Sequence, residues 1–264
     1  GLQQQTDDVG HDVLEVLMRN PDISPETHVR LWLVSGIAVP FVRLTTDEGE
    51  ILLALWPDLA PNHVGNFLHL ARTGYYDDTY FHRVIPGFMI QGGDGNTRDF
   101  DPRNDGRGSP GLADLVTAEE KARLETIAAS LAARGYGVAL LETPVNLKEE
   151  FSSTAKHLAG TLSMARSRDP DSAGSQFFIC HERGTSTANL DGQYTVFGQL
   201  VTGMDVVERI VTAELDPSKG RSFPANPVHV TSCDVFTGVA SLSADEQQAY
   251  RDMVQMLADN DSVW

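Results

Sequence analysis

The chain has 264 residues, 41% of them hydrophobic. That is enough for a sizeable core, too apolar for a disordered protein, and long enough for one domain with extensions or two small domains. A formal net charge of −17 and a pI near 4.7 argue against nucleic-acid and anionic-membrane partners.

Residues 1–37 begin polar and then carry two helix-like stretches, 8–19 and 25–34, the second with Ser24 as N-cap and Pro25 at the first helical position. This reads as a helical extension before a main domain at 38–239. The longest apolar run, around Leu31 to Phe41, is interrupted by Ser35, Gly36 and Pro40 and cannot span a bilayer. No secretory leader is visible and the chain starts at Gly1, which leaves cytoplasm and periplasm both open. Residues 41–46 and 50–56 flank "DEG", where Gly49 suits a hairpin turn. Val64, Phe67, Leu68 and Ala71 then fall at helical spacing, with Gly74 placed to end the helix. Short strands are expected at 80–85 and 88–91, joined through Pro86-Gly87.

Residues 111–143 break the β pattern. Thr117 with Glu120 reads as a capping box opening a helix that stops at Gly135. Strands resume at 161–165, 176–181, 194–201 and 227–236, with a second helix between the last two that carries Met204, Val207, Ile210 and Val211 on one face. Residues 240–264 form a C-terminal helix with Ser243 as N-cap and Tyr250, Met253, Val254 and Leu257 facing inward. Cys180 and Cys233, both in strand-like runs, read as buried free thiols. The sum is a mainly β protein. Eight short antiparallel strands favour a closed barrel capped by two helices, with an open sandwich as the alternative.

Familiar chemistries are absent. No His pair has metal-ligand spacing beside a Cys or carboxylate cluster. The loop "DFDPRNDGRG" lacks the bidentate Glu of a calcium loop, since its twelfth position from Asp101 is Leu112. "GYGVAL" at 135–140 lacks the third glycine of a dinucleotide fingerprint. No cofactor is implied. What stands out is "YFHRVIPGFMIQGGD", residues 80–94, which sets a cation, a Phe-Met pair and an amide side by side without a nucleophile.

"FHRVIPGFMIQGGD" resembles the signature of the cyclophilin-type peptidyl-prolyl cis/trans isomerases. The resemblance extends through "GEILLALWPDLAPNHVGNFLHLARTGYYDDTYFHRVI", "AGTLSMARS", "SAGSQFFIC", "NLDGQYTVFGQLVTGMDVVERI" and "PANPVHVTSCDV", from roughly 40 to 110 and 144 to 238. It implies an eight-stranded barrel capped by two helices. It also implies an active-site Arg at Arg83, a proline pocket of Phe88, Met89, Phe178 and Leu190, and peptide-holding groups at Gln91 and Gln176 with Ala165 and Arg166 beside them. Tyr194 falls where the family often has His and keeps an aromatic wall. Asn189 stands where cyclosporin-binding members have a Trp, which implies weak cyclosporin binding. Arg166 adds a second cation, free to pair with an acidic substrate residue or with Asp169. The insertion at 111–143 falls in a loop that borders the pocket for residues after the proline, as surface decoration or as a helical lid.

The implied partners are proline-containing segments of unfolded or flexible proteins, met by a monomer. Twisting an Xaa–Pro amide breaks no bond but loses resonance worth about 18–20 kcal/mol, which makes a cation over an apolar pocket sensible chemistry. A proline-binding module and an aggregation-suppressing chaperone are the competing classes.

Overall fold

The computed structural model describes residues 39–99, 101–134 and 144–262. The expected extension at 1–37, with its helices at 8–19 and 25–34, and the Gly135 stop with the "GYGVAL" turn lie outside the described residues. Eight strands form one antiparallel sheet: β1 (Pro40–Thr46), β2 (Gly49–Leu55), β3 (Arg83–Ile85), β4 (Met89–Gly92), β5 (Thr161–Met164), β6 (Phe177–Cys180), β7 (Val196–Thr202) and β8 (Val230–Thr237). Their order is β3-β4-β6-β5-β7-β2-β1-β8. Each lies within a few residues of its expected place. Gly49 pairs with Thr46 and takes φ +130, the conformation that the β1–β2 turn reserves for glycine.

The expected closed barrel is corrected to an open half-barrel. β3 and β8, the two ends of the sheet, share no ladder. β3 is three residues long, and its Val84 N–H donates instead to Ser222 O, in a loop. The seam is stitched irregularly by a Tyr80–His229 bridge and by Asp78, Phe81 and Val230 backbone bonds. Both edges are thus covered, which answers the edge problem without closure.

Period-two alternation divides the apolar side chains between the two faces of the sheet. Inside lies the main core, where Val42, Leu44, Ile51, Leu53, Leu162 and Phe197 meet two helices. α1 (Pro61–Arg72) brings Val64, Phe67, Leu70 and Ala71, and α4 (Met204–Val211) brings Val206, Val207, Ile210 and Val211. α1 ends as expected: Gly74 at φ +73 lets Tyr75 N–H reach Leu70 O, a Schellman closure. Its start has no side-chain cap of its own. Glu150 supplies one from afar, accepting Asn62 N–H at 3.1 Å and His63 N–H at 3.0 Å.

The outer face carries a second core. Phe41, Leu52, Ala54 and Val196 pack there against α5 (Ala244–Asp259), whose Tyr250, Met253, Val254 and Leu257 are buried as the spacing requires. This explains the unbroken run "ILLAL" in β2: both of its faces are covered. Ser243 and Glu246 close a capping box at the start of α5, and Arg43 of β1 pairs with Glu246. In the insertion, α2 (Ala118–Ala133) opens with the expected Thr117–Glu120 box. None of its described side chains is fully buried, and Ile127 is 49% exposed. α3 is a single turn, Thr185–Ala188. Among the described residues no helix is long and apolar enough to cross a membrane.

Leu257 is fully buried beneath the sheet's outer face. Leu257→Ala should cost about 2–5 kcal/mol in urea unfolding; a loss under about 0.5 kcal/mol, the range of neutral surface changes, would mean that α5 is only loosely docked.

Candidate active site

Antiparallel register sets one row of side chains across three strands. Arg83 of β3 pairs with Gln91 of β4, and Gln91 pairs with Phe178 of β6. Their neighbours Val84, Ile90, Phe177 and Ile179 point the other way, into the core. The next row on the outer face pairs Ile85 with Met89 and Met89 with Cys180. Met89, Phe178 and Cys180 are buried and form a third apolar cluster, flanked by Phe88, Ala165, Leu190 and Tyr194. All of these but Cys180 line a cleft of about 430 Å³, as do Arg83 and Gln91.

Polar groups are chained along its rim. Arg83 Nη1 donates to Gln91 Oε1 at 3.0 Å, Gln91 Nε2 donates to Gln176 Oε1 at 3.0 Å, and Gln176 Nε2 donates to Gly108 O at 2.9 Å. The chain fixes both amides' orientation. Arg83 remains open to the cleft, yet flanking protein desolvates its guanidinium and lowers its pKa, an effect that Tyr194 partly offsets. It stays charged, as arginine does in proteins. Beyond Gln91 and Gln176 a second hollow of about 260 Å³ continues the cleft and shares Gln91, Ala165 and Arg166 with it.

All ten residues expected at the site therefore line these two adjoining hollows. Arg166 does not pair with Asp169. Its guanidinium donates to Gln193 O and Ser167 O, both at 2.8 Å, and lies 4.3 Å from the centre of the Tyr194 ring. Cys180 is a buried free thiol as expected, whereas Cys233 is only partly buried, on β8 at the end of the sheet.

Sequence reasoning missed several wall residues: His82, Asp105, Lys219 and Phe223 in the cleft, and Arg107 in the second hollow. All but His82 come from loops whose approach no local pattern announces, and His82 went unremarked inside the quoted motif. It also missed His157, stacked behind Phe178 with ring centroids 5.9 Å apart and planes at 11°. His157 Nε2 lies 3.0 Å from Ser163 Oγ and Nδ1 3.0 Å from Asp191 Oδ1. Burial lowers the pKa of His157 and His63 despite their carboxylate neighbours, and lowers that of His82 to about 4. Among the described residues no group of three or more His, Cys, Asp or Glu is placed to hold a metal ion. The arrangement can grip an apolar ring and present the Arg83 guanidinium and two amides to its flanking backbone.

The sequence model of the family described as "Cyclophilin type peptidyl-prolyl cis-trans isomerase/CLD" matches residues 41–235. A probable peptidyl-prolyl cis-trans isomerase of Brucella suis is 39% identical over 173 residues, covering 64% of this chain and 70% of that protein. A peptidyl-prolyl cis-trans isomerase of Acinetobacter baylyi is 31% identical over 203 residues, 76% of this chain and 87% of that protein. The structure resembles a cyclophilin-type isomerase from Cryptosporidium parvum crystallised in the presence of the dipeptide Ala-Pro. That likeness has a TM-score of 0.54 at 27% identity, covering 73% of this chain and 96% of the other.

His63, His82 and His157 are held neutral by burial, with pKa values below the ordinary 6.5. Between those depressed values and 6.5 the unfolded chain binds more protons than the folded one, so stability must fall as pH falls. Urea midpoints should therefore drop from pH 7 to pH 4.5. Equal midpoints would contradict the buried neutral histidines.

Proposed function

The chain belongs to the cyclophilin-type peptidyl-prolyl cis/trans isomerases, and we propose that it turns over Xaa–Pro bonds in the cleft between Arg83 and Phe178. The row Arg83–Gln91–Phe178 carries this reading, because it sets a guanidinium beside an apolar floor, with no metal-holding cluster among the described residues. The substrate is a proline-containing segment of an unfolded or flexible protein, the ring seated on Phe88, Met89, Phe178 and Leu190 and walled by Tyr194. The Ala-Pro dipeptide used with the Cryptosporidium relative supports the same substrate chemistry. The enzyme acts as a monomer.

Uncatalysed exchange about an Xaa–Pro bond takes tens of seconds or more, behind a barrier of about 18–20 kcal/mol. Twisting the amide decouples the proline nitrogen from the carbonyl, leaving the nitrogen pyramidal with a localised lone pair. Arg83 donates to that lone pair, an interaction the planar amide cannot offer, so the donor favours the twisted state selectively. Gln91 and Gln176 hold the flanking backbone, with Ala165 and Arg166 beside it, so that rotation falls on one bond. A single preorganised donor is worth about 3–4 kcal/mol in other enzymes. Desolvation of the ring and fixed orientation must add the rest.

Exchange spectroscopy on a short Ala-Pro peptide tests this directly. Catalytic amounts of the protein should accelerate cis/trans exchange, and Phe178→Ala should lower kcat/KM by roughly ten- to hundredfold as the ring loses its floor. Binding without acceleration by the wild type would make the protein a proline-binding module instead.

Asn189 ends α3 with its side chain exposed and offers no aromatic surface beside Leu190. Cyclosporin titration should give weak binding. Tight binding would contradict the placement of Asn189 at the position of the cyclosporin-contacting Trp.

A further inference from the structure

The protein carries 37 acidic against 20 basic side chains, yet the walls of its cleft reverse that balance. Arg83, Arg107, Arg166 and Lys219 line the two adjoining hollows, against a single carboxylate among the described residues, Asp105. That carboxylate is engaged, accepting the Tyr80 hydroxyl at 2.7 Å. The second hollow is the more one-sided. Arg107, Arg166 and the hydroxyl residues Ser109, Ser167 and Ser172 surround it, with no described Asp or Glu in its wall.

Among the described residues neither of its two cations pairs with a carboxylate. Arg166 donates to the carbonyls of Gln193 and Ser167, not to a carboxylate. Arg107 is exposed and its guanidinium makes no ion pair or hydrogen bond among the described residues. The nearby acids are committed elsewhere. Asp94 accepts the backbone N–H groups of Asn96, Gly106 and Arg107. Asp169 accepts that of Asp171, and Asp171 accepts that of Glu149. A net charge of −17 repels an acidic segment at long range, but salt screens that field over about 8 Å at physiological ionic strength. Inside the hollow the two local arginines decide the sign.

We infer that this hollow takes an anionic side chain flanking the Xaa–Pro bond, with Arg107 and Arg166 as its charge partners, and so makes the enzyme selective for acidic proline-containing segments. The inference rests on the isomerase reading of the neighbouring cleft. The reach is short, because Gln91, Ala165 and Arg166 belong to both hollows. A peptide whose proline sits on Phe178 therefore presents a residue a few positions away to Arg107.

The test uses the isotope-labelled full chain and Ala-Pro peptides with Ala, Glu, phosphoserine or Lys at each of two positions on either side. Binding is read from NMR titration and exchange from the same samples. At one flanking position Glu should bind roughly fivefold tighter than Ala, and Lys weaker than Ala. The Glu/Ala ratio should fall below about twofold in Arg107→Gln and at high salt, as partly exposed ion pairs require. Phosphoserine bound at least as well as Glu would extend the preference to phosphorylated segments. Glu no tighter than Ala at every position, or a full preference surviving in Arg107→Gln, would overturn the inference. Binding with that preference but without accelerated exchange would sink the isomerase reading and leave the anion site standing.

Discussion

A β-strand shows alternate side chains to opposite faces, and antiparallel pairing locks which residues of neighbouring strands share a face. Everything at this site depends on that lock. Arg83, Gln91 and Phe178 are far apart in the chain but stand in one row across β3, β4 and β6. Their immediate neighbours Val84, Ile90, Phe177 and Ile179 fill the main core. A slip of one residue in either ladder would bury the guanidinium and expose those core side chains. The core's apolar burial therefore fixes the register, and the register fixes the site.

The site is accordingly built on the outside of the half-barrel, not within it. The outer face is divided between two tasks. Its β1–β2–β7 part is sealed by α5 through Phe41, Leu52, Val196 and Leu257. Its β3–β4–β6 part is left open, floored by Met89 and Phe178. The floor is stiffened from behind by neutral His157, stacked on Phe178 and held by Ser163 and Asp191. The rim is stiffened by the Arg83–Gln91–Gln176–Gly108 chain. Neither device makes or breaks a bond. Both fix the groups around the cleft, which suits a reaction whose whole barrier is lost resonance.

Much of this was legible in the residues. All eight strands, α1, α4 and α5 announce themselves by periodicity, the Thr117 cap by its Glu three residues on, and the Ser243 cap by its place before an amphipathic run. That ten expected residues would line one continuous cleft was legible for a different reason: a long string with further blocks in order carries register information that single residues do not. What failed was what sequence-distant loops decide. Closure was overestimated because β3 is cut to three residues when Val84 turns to Ser222. Arg166 was offered Asp169 by proximity in the chain, but Asp169 is spent capping its own turn. Arg107, Lys219 and His157 carry no local signal, since only the fold brings their loops to the cleft. The docking face of α5 was readable from Tyr250, Met253, Val254 and Leu257; which surface it would cover was not.

The central claim is that one guanidinium favours the twisted amide over the planar one. Comparing wild type with Arg83→Ala on a single Ala-Pro peptide, with affinity and exchange rate taken from the same titration, tests it most directly. Loss of exchange by roughly two to three orders of magnitude, with affinity changed less than about threefold, is the signature of a donor that acts in the transition state alone. Exchange that persists at the wild-type rate, or that falls only in step with affinity, would show that Arg83 merely helps to hold the peptide.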